Sequence, residues 1–198
     1  VCSSDLAVGA TNLLTWTDIS SSLLNSWNHI AITRSGTTLS MYLNGVLQAT
    51  TTNSTSIPIG YYNFLSRWDG TYASSGYISN FRVVNGTAVY TGAGPFTVPT
   101  APLTAITGTA VLCFNNNNIF NASVVPSSTT FVEAFSPFAP GVVYSPTTYG
   151  GSGYFNGSTD YVQTTVQAPP TNFTMEAWIY MPAASTGSPN IIDRKSTR

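Results

Sequence analysis

Apolar and polar residues alternate along this chain with a period of two, the pattern of half-buried strands. In "WNHIAITRSG", Ile30 and Ile32 fall on one face, with His29, Ala31 and Thr33 on the other. "TLSMYLNGVLQATTT" sets Leu39, Met41 and Leu43 on one face and then reaches Asn44-Gly45. An Asn-Gly pair between alternating segments predicts a two-residue hairpin, because both turn positions must tolerate positive φ. "FTMEAWIYM" places Phe173, Met175, Ala177, Ile179 and Met181 against Thr174, Glu176, Trp178 and Tyr180. "GYISNFRVV", "TAVLCF", "SGYFN" and "DYVQTT" supply further strands, separated by turns rich in Gly, Pro, Asn and Ser. Many short strands with no helical stretch between them predict an all-β antiparallel sandwich.

Two proline-rich stretches, "TGAGPFTVPTAPLT" (91–104) and "PFAPGVVYSPTTYGG" (137–151), interrupt the alternation. Proline is confined to strand edges and turns, so both are expected to be extended surface segments. The second marks a boundary between repeats.

Charge changes the picture at the ends. The closing "DRKSTR" holds three of the six Lys and Arg residues. Read as codons, Asp193–Arg198 spells GATCGGAAGAGCACACGT, and its reverse complement, completed by CT, encodes Val1–Leu6. That string matches a common sequencing-library adapter, so residues 1–6 and 193–198 are set aside and expected to be unpacked. The basic residues are then Arg34, Arg67 and Arg82, and the acidic ones Asp18, Asp69, Glu133, Asp160 and Glu176. The whole chain is 7% charged, against roughly 25% for an ordinary soluble domain. Nucleic-acid capture needs clustered Lys and Arg, so no nucleic-acid partner is expected. A polybasic membrane patch is excluded on the same ground. No apolar run approaches the ~18 residues of a spanning helix, so no membrane insertion is expected. With Cys2 set aside, Cys113 is the one native cysteine and no internal disulfide forms.

The quoted motifs resemble a family. "SWNHIAITRSGTTLSMYLNGV" followed by "GYISNFRVVNGTAVYTG" resembles the second half of a laminin-G-like, concanavalin A-like jelly-roll domain. "GGSGYFNGSTDYVQT" followed by "FTMEAWIY" resembles the first half of the same domain. Between them, "PFTVPTAPLTAITGTAVLCF" and "FVEAFSPFAP" resemble the connector in tandem arrays of environmental viral and bacterial surface proteins. The resemblance implies an antiparallel jelly-roll β-sandwich, incomplete or circularly permuted. It divides the chain into 7–115, the C-terminal part of one domain; 116–150, a connector; and 151–192, the N-terminal part of the next. If adjacent repeats share a core pattern, the head of the second fills the place of the missing head of the first. Met175 or Ile179 is then expected against Ile30, Ile32 or Met41.

The same superfamily includes glucanases. Retaining hydrolysis needs two carboxyl groups roughly 5–5.5 Å apart, whereas Glu133 and Glu176 are far apart and have no acidic neighbour at alternating spacing. Glu176 lies opposite the apolar face and reads as a solvated strand carboxylate. His29, the one histidine, reads as a surface strand residue, with no third group to complete a Ser-His pair. One His and one Cys cannot supply a zinc site. Calcium takes oxygen ligands, and Asp18, Asp69 and Asp160 lie in or beside turns. Turns favour Asp for local hydrogen bonding as well, and no D-x-D-x-D loop is present, so no ligand is assigned. Five N-x-[ST] triplets, at Asn53, Asn85, Asn121, Asn156 and Asn172, follow from the Asn, Ser and Thr content.

One loop stands out as a ligand site. "YYNFLSRWDGTY" combines the flat faces of Tyr61, Tyr62, Trp68 and Tyr72 with the polar Asn63, Arg67 and Asp69. Sugars are held by that combination of apolar faces and orienting polar groups; the competing reading is a loop whose aromatics cap the core. The expectation is therefore a non-enzymatic carbohydrate-binding or adhesion module of a large extracellular or virion (tail-fibre-like) protein. Its partners would be a cell-surface glycan and neighbouring repeats of the same chain, and it needs no cofactor. The alternatives are a structural spacer repeat without a ligand, and a glycoside hydrolase whose catalytic residues lie outside the chain.

Overall fold

The computed structural model describes residues 4–8, 11–16, 23–54, 60–64, 75–116, 124–127, 130–132, 135–138, 146–156, 160–164, 172–183 and 192–196. In chain order the strands are β1 (Ser4–Val8), β2 (Thr11–Trp16), β3 (Trp27–Ser35), β4 (Thr38–Leu43), β5 (Val46–Thr52), β6 (Gly60–Phe64) and β7 (Ser75–Asn85). They continue as β8 (Thr109–Cys113), β9 (Val124–Ser127), β10 (Thr130–Val132), β11 (Ser152–Asn156), β12 (Tyr161–Thr164), β13 (Phe173–Tyr180) and β14 (Ile192–Ser196). One helical turn, Pro146–Tyr149, precedes β11.

The hairpin at Asn44-Gly45 forms as its sequence predicts. Both residues have positive φ, 49° and 81°, which lets β4 turn directly into β5. Gly45 is required twice over, because a Cβ there would lie 2.1 Å from the Phe96 carbonyl oxygen.

Eight strands form the main antiparallel sheet, in the order β10-β11-β7-β13-β3-β4-β5, with β8 also paired to β7. The alternation of "FTMEAWIYM" explains why β13 sits at the centre. Met175 pairs with Ile32 of β3 on one side and Val83 of β7 on the other, and Ala177 pairs with Ile30. A head-type strand thus completes the sheet made by the tail-type strands, as the permuted arrangement requires. Between Glu176 and Trp178 the register with β7 shifts, and Asn80 takes a positive φ of 55° there. This bulge places an extra residue on β7 and re-aims the side chains that follow.

One face of the sheet carries the apolar core. Ile30, Ile32, Leu39, Met41, Ile78, Phe81, Val83, Met175, Ala177 and Ile179 are buried together, joined by Phe155 of β11 and Leu14 of β2. Each such side chain contributes roughly 1.5–3 kcal/mol on leaving water. Cys113 is in this core. Burial pushes its thiol pKa up, which keeps it protonated and inert.

The opposite face is covered by the segment that follows β7. Residues 91–104 are mostly exposed and contain no strand, as expected of an extended surface segment, but Leu103 turns inward and is buried. Phe96 N–H donates to Gly45 O, and Leu103 N–H donates to Asn80 Oδ1.

The remaining strands form three ribbons, β1-β2, β14-β6 and β12-β9. β1 runs beside β14, β6 beside β12, and β2 beside β5, so the ribbons make a row next to one edge of the main sheet. The ends expected to be unpacked are strands instead where they are described: Leu6 pairs with Leu14, and Asp193 with Asn63. Both stay in the ribbons and outside the eight-stranded sheet.

Candidate functional site

The loop singled out from sequence is only partly a loop. Tyr61, Tyr62 and Asn63 lie in β6, where they pair with Lys195, Arg194 and Asp193 of β14. Arg67, Trp68, Asp69 and Tyr72 lie outside the described residues.

The concentration of ionisable groups is elsewhere, and it corrects two expectations. Glu176 is not a solvated strand carboxylate: it is 0% exposed. His29 is not a surface histidine: it is 0% exposed as well. The parity of both residues was read correctly, since they lie on the face opposite the apolar core. That face is not open to water, because residues 86–104 lie over it.

The cluster is built from four elements. Glu176 of β13 is directly opposite Arg82 of β7. The guanidinium donates to Oε1 from Nε at 2.8 Å and from Nη2 at 2.6 Å, and from Nη1 to Thr104 O at 2.9 Å. On the other side, His29 of β3 meets Oε2 through Nε2 at 3.1 Å. Tyr90, from the covering segment, donates its hydroxyl to the same oxygen at 2.7 Å. Burial pushes the Glu176 pKa up. The His29 hydrogen bond, the Arg82 charge and the Tyr90 hydroxyl outweigh it, so the carboxyl is held below its ordinary value. An ionised carboxylate only accepts hydrogen bonds, which assigns the proton of His29 to Nε2. Tyr90 is pushed far above the ordinary phenol value by burial and by the Glu176 charge; it stays a donor.

Around these groups the rings close the space. Tyr90 stacks on Phe96 with centroids 3.8 Å apart and planes 9° apart. His29 meets Tyr90, Phe96 and Trp178 edge-on at 5.9, 5.9 and 5.3 Å. Phe138 meets Trp178 from the connector at 5.6 Å. Further backbone ties bind the cover to the sheet: Val89 N–H donates to Thr174 Oγ1, Gly86 N–H to Asn172 O, and Tyr42 hydroxyl to Gly92 O.

Chemically, this arrangement is a latch. Both oxygens of Glu176 are occupied, by Arg82 on one and by His29 and Tyr90 on the other, and no second described carboxylate faces it. A glycosidase acid or nucleophile must reach substrate; Glu176 reaches only protein. Asp160 serves a turn: its Oδ2 accepts from Asn156 N–H, and its own N–H donates to Asn156 Oδ1. Among the described residues, no group of three or more His, Cys, Asp or Glu is placed to hold a metal ion. Asp18, Asp69 and Glu133 lie outside them. Among the described residues, no helix is long and apolar enough to cross a membrane.

The Glu176–Arg82 pair was missed from sequence, since its members are 94 residues apart. The signal was scarcity: in so uncharged a chain, a Glu and an Arg each on a long alternating strand are candidates for one another.

Comparison with curated proteins and with solved structures finds no match. A laminin-G-type family model of the concanavalin A-like lectin/glucanases superfamily matches residues 5–102. Those residues contain β3, β4, β5 and β7, the tail-type strands of the main sheet, together with the covering segment. Through residues 5–102, the chain therefore belongs to the concanavalin A-like lectin/glucanases superfamily, and its all-β antiparallel architecture is that of a jelly roll.

Proposed function

We propose that the chain is a non-enzymatic carbohydrate-binding or adhesion module of a large extracellular protein, of the kind displayed on a cell or virion surface such as a tail fibre. The observation that carries this reading is the superfamily match over residues 5–102, whose printed members are lectins and glucanases. Within that pair of activities, the engaged state of Glu176 favours binding over hydrolysis.

The test is a glycan array with the whole chain, run beside a hydrolysis assay on the glycans it retains. Binding without product release is expected. Trp68→Ala should weaken the array signal with little change in melting temperature if the aromatic segment 61–72 takes part. A chain that binds nothing on the array is a structural spacer; one that releases reducing ends is a hydrolase.

A further inference from the structure

At one end of the main sheet, four neighbouring strands each contribute an aromatic residue to a single row. Trp27 of β3 is opposite Tyr180 of β13, Tyr180 is opposite Tyr77 of β7, and Tyr77 is opposite Tyr154 of β11. The successive ring centroids are 5.7, 6.0 and 5.1 Å apart. Strands lie about 4.8 Å apart, so the row runs about 15 Å across the sheet. Residues directly opposite share a face. Trp27 is two residues from His29 and Tyr180 two from Trp178, so the row continues the face that carries the latch. Phe135 packs against Trp27, Tyr77 and Tyr180 at 5.2, 4.6 and 4.8 Å.

Here the cover ends. His29 and Trp178 are buried, whereas Trp27, Tyr77, Phe135, Tyr154 and Tyr180 are all half-buried. The two tyrosines under the cover have engaged hydroxyls, Tyr42 on Gly92 O and Tyr90 on Glu176. The hydroxyls of Tyr77, Tyr154 and Tyr180 have no hydrogen-bond partner among the described residues. None of the five rings lies under a cation; among the described residues that contact is made by Arg34 over Phe173.

We propose that this row is a binding surface for a short, neutral, linear oligosaccharide laid across the strands. The proposal rests on the carbohydrate-binding reading and gives it a place and a ligand class. Aromatic rings offer apolar area with little entropy to lose, and phenol hydroxyls both donate and accept. A pyranose chain presents the complementary pair, C–H faces and hydroxyls. The hydroxyls are already solvated at the surface, so exchanging water for sugar hydroxyls leaves no buried polar group unmet. A sulfated or carboxylated glycan would find no cation in the row. The length of the row suits an oligosaccharide better than a single sugar.

The experiment measures affinity for laminarin, a neutral β-glucan, and for its carboxymethylated form by affinity electrophoresis. It uses the parent chain, the Y77F/Y154F/Y180F variant, Tyr154→Ala and Trp68→Ala. The triple variant keeps every ring and loses only hydroxyls, so its melting temperature should match the parent. The expected result is that the parent retains laminarin over the carboxymethylated polymer, and that the triple variant binds about tenfold or more weakly. Tyr154→Ala, which shortens the row at its outer end, should weaken binding too. Undiminished laminarin binding by the triple variant and Tyr154→Ala, with loss in Trp68→Ala, would overturn the row as the site and leave the carbohydrate reading standing. Preference for the charged polymer would overturn the neutral class. No retention of any glycan by the parent overturns both.

Discussion

Glu176 shows how one residue can be placed correctly and still misjudged. Its position in "FTMEAWIYM" fixes its face by alternation, and the structure agrees. Its environment depends on Arg82, His29 and Tyr90, which come from three other parts of the chain. Removing its charge should therefore be costly. Glu176→Gln leaves the Arg82 guanidinium, itself 6% exposed, without a counter-ion. Breaking a buried pair in this way costs about 3–5 kcal/mol, read as a lower denaturation midpoint in urea. The pH dependence has a definite sign. The folded carboxyl sits below its ordinary value of 4.5, so the unfolded chain takes up the proton first. The latch contributes fully above pH 4.5, and its contribution is lost as pH falls below that value through the folded pKa. A melting series from pH 7 to pH 3 should fall on its acid side in the parent and fall less steeply in Glu176→Gln.

Among the elements, strands with clean alternation were legible and others were not. β3, β4, β7, β8, β11, β12 and β13 lie on the segments read as strands, because one buried face imposes a period of two. β6 was read as loop: "GYYNF" carries no apolar–polar alternation for pairing to declare. β9 contains Pro126, which argues against a strand, yet it pairs with β12 at the margin of the ribbon row. The cover was half legible. Proline told correctly that 91–104 is not a strand; nothing in its composition told which face it lies over. One residue ties that question to the hairpin. Gly45→Ala would place a methyl against the Phe96 carbonyl and force a non-glycine residue to a φ of 81°. Both the turn and the docking of the cover should suffer. A loss of more than about 1 kcal/mol is expected, together with faster hydrogen exchange at Phe96. If only global stability falls, with protection at Phe96 unchanged relative to the sheet, the hairpin and the cover are independent.

For the whole molecule, the decisive feature is that β13 enters the sheet from far along the chain. His29 and Glu176 are 147 residues apart, yet β13 is hydrogen-bonded on both edges, to β3 and to β7. A strand in that position cannot leave without exposing two rows of backbone N–H and C=O groups and opening the core at Met175, Ala177 and Ile179. It would also strand Arg82, whose counter-ion it carries. Hydrophobic, backbone and ionic terms therefore point the same way, and β13 should unfold only with β3 and β7. Native-state hydrogen exchange tests this directly. Amides of Met175–Ile179 should open with the same free energy, and the same denaturant dependence, as those of Ile30–Thr33. A lower opening free energy confined to 173–180 would show instead that the segment is a docked strand on a sheet able to stand without it. Folding should be slow for the same topological reason, because closing the β13–β3 ladder requires most of the chain to be looped first.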